Sequence, residues 1–219
     1  MPEIAEPLSP VRVLATPKKF APLKSFSAGR KGNPWEKFIN DWARSTYLGT
    51  YLEPQTVVVL EDSHGKLIGI GSFRPKPLPG SERLAASFAK VIGQSHYVHT
   101  VAIDRLYRGQ RSSDGLRLGD LLLAGVLDQV EIHTEHRTPA VWALVAPENG
   151  NARALFRRND FEELPYTGEG AITYARSTGG NTAFNSGSTH MARGLRRLLG
   201  KAKVPPPPPP DAATPPRPA

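Results

Sequence analysis

In SHYVHTVAIDRLYRGQRSSDGLRLGDLLL, residues 95–123, charged and glycine residues gather where a β-branched run gives way to a leucine-rich one. Free amide groups at a loop and helix start point outward together, and the helix dipole adds partial positive charge. Gly109 and Gly119 permit close backbone approach there, while Arg108, Arg111 and Arg117 add side-chain charge. That combination suits a pyrophosphate; the plainer reading is a loop whose arginines are merely solvated. The same stretch carries His96, Tyr97 and His99. The chain has no cysteine, which excludes disulfides, thiolate metal sites and a covalent thioester. His133 and His136, with Glu131 and Glu135, are the nearest approach to a metal-ligand group. They lack matching ligands nearby in sequence and also suit a helix C-terminus, so no metal is expected.

The elements that must position these residues follow from hydrophobic period. His96–Ile103 reads as a strand and Leu118 to about Glu135 as a helix. Upstream, Asn33 and Pro34 open a helix with Trp35, Phe38, Ile39 and Trp42 facing the core. Thr56–Leu60 and Leu67–Phe73, joined by EDSHGK, form a hairpin, and SERLAASFAKVIG is a helix candidate. PAVWALVAP gives a buried strand, NGNARALFRRNDF a short helix, and FEELPY with GAITYAR two closing strands. This mixed order predicts an α/β (α+β) fold, a single domain whose mixed central sheet is flanked by helices.

Composition divides the chain into a 1–33 extension with a candidate first strand, a 34–176 domain and a 177–219 tail. The net charge of +8 resolves into +4, −1 and +5 over those three parts, so the basic character belongs to the ends. The tail runs from a Gly/Ser/Thr/Asn linker through HMARGLRRLLGKAKV to a polyproline stretch, none of it able to build a core. Residues 190–203 are either a solvated basic segment or an amphipathic contact for nucleic acid or an acidic partner. No run has the length of a membrane span or the apolar core of a signal peptide, which points to no membrane partner and a cytoplasmic protein.

VAIDRLYRGQ followed by LGDLLL resembles the fourth strand and acetyl-CoA loop of the GNAT superfamily of N-acetyltransferases. Downstream, ENGNARALFRRNDF resembles that family's Asn-x-x-Ala-x-x-Leu-Tyr-x-x-x-Gly-Phe helix, with Asn149, Ala152, Leu155, Phe156 and Phe161 at the matching positions. The likeness spans Trp35 to Arg176. It implies an enzyme, an acetyl-CoA-dependent N-acetyltransferase acting by direct transfer to an amine acceptor, with acetyl-CoA as acyl-donor cosubstrate. Val101, Ala102 and Ile103 would hold the pantetheine arm, Arg108, Gly109, Gln110, Arg117 and Gly119 the pyrophosphate, and Asn149 and Phe156 the space between the fourth and fifth strands. The alternative is a non-catalytic GNAT-like module that binds CoA or a partner.

Three departures from the pattern stand out. RSSDGL lengthens the loop by about six residues. Phe156 replaces a tyrosine able to protonate the departing thiolate, and Asp160 replaces the glycine of the closing Gly-Phe. Amine attack on the acetyl carbonyl benefits from a base, and His99, whose ordinary pKa lies near physiological pH, is the first candidate. Tyr97 is the second, and by the period of two both share a strand face with Val101. Glu61 is a weaker candidate for acceptor contact. The acceptor's identity and the oligomeric state are not written in the sequence.

Overall fold

The structure, a computed structural model, describes residues 12–14, 17–29, 33–51, 53–78, 95–134, 140–164 and 170–177. Seven strands form one sheet: β1 (Arg12–Leu14), β2 (Thr56–Glu61), β3 (Leu67–Pro75), β4 (His96–Ile103), β5 (Ala140–Val145), β6 (Glu162–Leu164) and β7 (Ile172–Ser177). Their spatial order is β1-β2-β3-β4-β5-β7-β6, antiparallel throughout except for the β4–β5 pair. The mixed α/β class is as expected. Four helices accompany the sheet among the described residues: α1 (Ala21–Ser25), α2 (Pro34–Leu48), α3 (Leu118–His133) and α4 (Gly150–Arg158). None is long and apolar enough to cross a membrane.

Both faces of the sheet are covered, and β2 shows how its sequence permits this. Val58 and Leu60 join the cluster under α3 and α4, with Leu122, Val126 and Leu155, while Val57 and Val59 join Leu23 of α1 and Trp42 and Ala43 of α2. A continuous apolar run thus serves two cores by alternation. The N-terminal extension supplies the expected first strand. Its residues Leu23, Phe26 and Ala28 are also buried in the α2-side core, a contribution without a periodic signature because α1 has five residues. The candidate helix in 81–93 and the segment 190–203 lie outside the described residues.

Local chemistry sets the helix ends. Asn33 accepts an N–H bond from Trp35 at 3.2 Å and Pro34 fills the first turn, whereas Gly49 closes α2 in the left-handed region at φ 70°. Trp42 is buried as predicted, but Phe38 is 51% exposed, a correction to the expected core-facing helix. Asp160, standing where the family pattern has glycine, adopts φ 60° after α4, so the carboxylate side chain tolerates the turn.

α3 lies close on β3 because β3 carries glycines beneath it. A Cβ on Gly71 would stand 2.6 Å from Cγ2 of Val126, and one on Gly69 would stand 2.8 Å from Cδ1 of Ile103 and 3.1 Å from Cδ2 of Leu122. Both valine and leucine are fully buried, so neither has room to retreat. Gly71→Val is expected to destabilise the fold by about 2–3 kcal/mol, read as a lower midpoint in urea denaturation with unchanged slope.

Candidate functional site

The geometry of β4 follows from what it pairs with. On one edge it is laddered to β3, with Ser72 opposite Thr100 and Phe73 opposite Val98, so His99 is an extra residue, a bulge. On the other edge it meets β5 only at His96↔Val141 and Tyr97↔Trp142. Beyond Tyr97 the two parallel strands part. The backbone from Val98 to Ile103 therefore faces an opening instead of a ladder, and its amide and carbonyl groups call for partners. Val101 and Ile103 are half-buried against the α3-side cluster, while Ala102 faces the α2-side cluster.

The bulge corrects one expectation. Val98 and Val101, three residues apart, both contribute to the α3-side core. Strict alternation would separate them. Conversely His99 turns to the α2 side, so Tyr97 and His99 do not share a face with Val101.

At the end of β4 the side chain of Asp104 accepts from the N–H of Leu106 at 3.0 Å and caps a 3-10 turn, Arg105–Tyr107. Gly109 then reverses the chain at φ 77°. The additional residues form a closed excursion: Arg111 bridges Arg117 in antiparallel fashion, the N–H of Ser112 donates to Leu116 O at 2.8 Å, and Gly115 turns at φ 77°. Because its base is pinned, the excursion leaves the path from Gln110 to α3 short. Arg117 is the N-cap residue of α3 without a side-chain cap bond, so the N–H groups of Leu118 and Gly119 stand at an open, positive helix end.

The predicted ligand residues fall around this opening in different states. Arg108 is ion-paired with Glu36 of α2. Gln110 donates its Nε2 to Leu106 O at 2.8 Å, holding the 3-10 turn. A Cβ on Gly119 would meet only Leu155 Cδ1, at 3.5 Å, so that position is open. Asn149 caps α4 by accepting from the N–H of Ala152 at 3.1 Å. Phe156 is buried, 4.9 Å from the ring of Phe161 and stacked on Tyr174 at 5.9 Å; it serves the core. Asp120, in the first turn of α3, is held by Arg158 at 3.1 Å and Asn159 at 3.0 Å.

On the α2 side, His99 sits among rings. The centroids of Phe38, Trp42, Tyr51 and Tyr97 lie 5.4, 5.7, 5.6 and 6.0 Å from its own. Both ring nitrogens have partners: Nε2 is 3.0 Å from the Tyr51 hydroxyl and Nδ1 is 2.9 Å from the Thr100 hydroxyl. Burial, with Arg74 and Lys76 close by, pushes the imidazole down to about 4 against the partial opposition of Glu53, so it is neutral at physiological pH. Tyr97 packs on Trp142 at 4.5 Å, beneath Lys76 at 5.0 Å and Arg74 at 5.9 Å. The indole Nε1 of Trp42 is buried without a partner among the described residues. Glu61 is distant from this group: it is buried beside Leu67 at the turn end of its hairpin, whereas His99 lies level with Ser72 and Phe73.

Sequence reasoning missed Tyr51, Glu53, Arg74 and Lys76. Tyr51 is 48 positions from His99 and lies in a connection without period, so only the fold brings the two together. Nor do the described residues contain a group of three or more His, Cys, Asp or Glu able to hold a metal ion.

A GNAT-family acetyltransferase from Listeria monocytogenes superposes on 81% of this chain and 98% of its own, with a TM-score of 0.51 at 15% identity. AtaTR bound with acetyl-CoA matches over 78% of this chain and 94% of its own, with a TM-score of 0.52 at 16% identity. The chain has the GNAT fold. The KacTA–DNA complex matches over 82% of this chain and 99% of its own, with a TM-score of 0.52 and 16% identity. No protein-family model and no curated protein matches the sequence. Within this GNAT fold the parting of β4 from β5, the loop ending in Gly119 and the His99 cage occupy one continuous region around β4.

The depressed His99 pKa has a consequence for stability. The unfolded chain binds this proton with an ordinary affinity near 6.5 and the folded chain only near 4, so folding is fully supported above about pH 6.5 and weakened as pH falls towards 4. At about pH 5 the loss is of order 2 kcal/mol. Urea denaturation at about pH 7 and pH 5 is expected to show this difference in the parent, reduced by about that amount in His99→Gln.

Proposed function

We propose that the protein is an acetyl-CoA-dependent N-acetyltransferase that passes the acetyl group directly to an amine acceptor. The observation that carries this reading is the parting of β4 from β5 immediately before a glycine-hinged loop and an uncapped helix start. An extended amide-bearing arm can add to the free edge of β4 at Val101, Ala102 and Ile103 as an extra strand would. Its pyrophosphate then reaches the N–H groups of Leu118 and Gly119, with Arg108 and Arg117 within the same loop. Asn149, at the start of α4, flanks the opening. The acetyl-CoA complex of a GNAT-fold neighbour supports the same ligand.

Transfer needs a neutral amine set against the acetyl carbonyl and a backbone donor for the developing oxyanion. The backbone groups of β4 beyond Tyr97, unladdered on the β5 edge, can supply such a donor. His99 and Tyr97 border the acceptor side, where the half-exposed ring of Phe38 meets solvent. The acceptor is an amine of unassigned structure. Residues 190–203 supply a separate basic contact for nucleic acid or an acidic partner, a role in keeping with the DNA complex of another neighbour. We assign the protein to the cytoplasm.

A second reading, a CoA-binding module without turnover, draws on Phe156, which has no exchangeable proton, and on Arg108, whose guanidinium is engaged by Glu36. Thiol release from acetyl-CoA in the presence of amines separates the two.

Calorimetric titration of acetyl-CoA into the full-length protein tests the site. Micromolar binding is expected in the parent and loss of about a hundredfold or more in the Arg108→Ala, Gly119→Trp double variant. Because the space at Gly119 is open, the tryptophan enters the ligand's place and leaves the core intact. Deleting Ser112–Leu116, which joins Arg111 directly to its bridge partner Arg117, is expected to keep the fold and retain acetyl-CoA binding within about tenfold. Unaltered binding in the double variant would move the cofactor elsewhere.

A further inference from the structure

The acceptor side of β4 holds a hydrogen-bonded chain that reaches solvent. Thr100 Oγ1 lies 2.9 Å from Nδ1 of His99, and Nε2 of His99 lies 3.0 Å from the hydroxyl of Tyr51. That hydroxyl lies 3.2 Å from Oε2 of Glu53, whose same oxygen lies 2.6 Å from Nη1 of Arg74. Thr100 is buried and Glu53 is exposed, so the chain runs from inside the sheet to its surface. Tyr51 has one proton and two acceptor-capable neighbours. With that proton directed to Glu53, the neutral imidazole donates Nε2–H to the Tyr51 oxygen and accepts from Thr100 at Nδ1, and every polar atom of the chain is satisfied.

In this arrangement His99 has no lone pair free for a substrate, and its conjugate acid is a strong one. The Tyr51 oxygen, by contrast, retains acceptor capacity and lies beside the cage that opens at Phe38. We propose that Tyr51 and Glu53 form the proton exit of the acceptor site, with His99 as the positioning residue that holds the Tyr51 hydroxyl towards Glu53. The proposal rests on the acetyl-transfer reading above. After the amine attacks the acetyl carbonyl, its nitrogen carries a surplus proton and the carbonyl oxygen the negative charge; as the carbonyl re-forms, the C–S bond breaks and its electron pair leaves on the CoA sulfur as thiolate. As that N–H bond breaks, a new O–H bond forms at the Tyr51 oxygen, the original Tyr51 O–H bond breaks, and the proton is received by Glu53 Oε2, which releases it to water. The electron pair of the broken N–H bond stays on nitrogen, and no oxidant or further reactant is required.

The surroundings favour this direction. Burial and the carboxylate of Glu53 raise the Tyr51 hydroxyl above its ordinary pKa, so it stays protonated and relays without ionising. The hydrogen bond from Arg74 holds Glu53 below the usual carboxylate range, so it stays ionised as the acceptor of the Tyr51 hydrogen bond and hands any proton it takes to water. Among the described residues, the charged and titratable groups facing the chain are Arg74 and Lys76 from β3 and the residues after it, Glu53 and Tyr51 from the connection before β2, and Tyr97 from β4. From α2 only the rings of Phe38 and Trp42 meet His99.

The test is thiol release from acetyl-CoA by the full-length protein between about pH 5 and pH 9, with phenethylamine, spermidine and alaninamide as acceptors, paired with acetyl-CoA titration. Tyr51→Phe keeps the ring, and with it the cage, and removes only the hydroxyl. It is expected to lower kcat by about tenfold or more while leaving acetyl-CoA affinity unchanged. Glu53→Gln is expected to lower kcat comparably at every pH in that range, where the carboxylate is ionised, and to leave acetyl-CoA affinity unchanged. A merely structural carboxylate would leave kcat unchanged in Glu53→Gln, because the amide keeps the size and an oxygen that accepts from Tyr51. Parent-like kcat in Tyr51→Phe or in Glu53→Gln overturns the relay while leaving acetyl transfer standing. A folded parent that neither binds acetyl-CoA nor releases thiol overturns acetyl transfer and the relay together. If Tyr51→Phe does not fold, Glu53→Gln alone decides, because its side chain is exposed.

Discussion

One strand has to be a full partner on one edge and a free edge on the other. β4 meets β3 along its whole length and β5 at only two positions, and much of the remaining architecture makes that asymmetry tolerable. An unpaired strand edge in a protein interior would be costly, so it persists only where something covers or pairs with it. α3 packs on the sheet face beside it, which requires a close seat on the neighbouring strand, and the glycines at 69 and 71 give that seat. The bulge at His99 adds twist at the place where the strands part. The same irregularity sends Val101 and Ile103 to one core and the imidazole to the opposite face. A single inserted residue thus divides the region into an open strand edge and a ring-lined face.

Charge around the start of α3 is balanced in a way that keeps it exchangeable. Arg108 faces Glu36, and Asp120, which would otherwise oppose an anion at the helix start, faces Arg158 and Asn159. Both arginines are substantially exposed, and ion pairs of that kind contribute at most about 1 kcal/mol. A pyrophosphate that takes over Arg108 therefore loses little to Glu36 and gains charge-assisted bonds with the backbone. The pairing also links α2, which carries Phe38 and Trp42, to the loop. Any movement of Arg108 away from Glu36 removes one restraint on the helix whose rings meet His99.

Long, strongly periodic elements were legible in the sequence because their burial is decided by local pattern. β4 spans the predicted residues, α2 starts at the predicted cap, and α3 ends within two residues of its predicted end, at His133. α1 was not legible: five residues hold too little period, and Leu23 is buried by the sheet it meets. The bulge was hidden as well, since SHYVHTVAI alternates well enough to conceal a slip and only the partner strand reveals it. The additional loop residues were visible as an insertion, yet their closure depends on Arg111 meeting Arg117, a contact with no signature in residue type. His99 was identifiable as a titratable residue on β4. Its environment was not, because three of the four rings around it, and the members of its hydrogen-bonded chain other than Thr100, come from outside β4.

That distribution has a chemical logic. A histidine at an exposed strand end would titrate near neutrality and act as a base by itself. Here, enclosure among four rings and two cations removes that capacity and fixes the ring between two hydroxyls instead. Removing basicity while adding geometry suits a group that orients a neighbour's proton, and it suits poorly one that must capture a proton unaided. Arg74 and Lys76, which disfavour the imidazolium, disfavour an ammonium in the same place. An amine entering beside them is pushed towards its neutral, nucleophilic form by the same field. Under the proposed acetyl transfer, the site would reach the reactive state of an amine through desolvation and nearby positive charge, and would leave to a weak acceptor only the proton that becomes acidic once the new bond has formed.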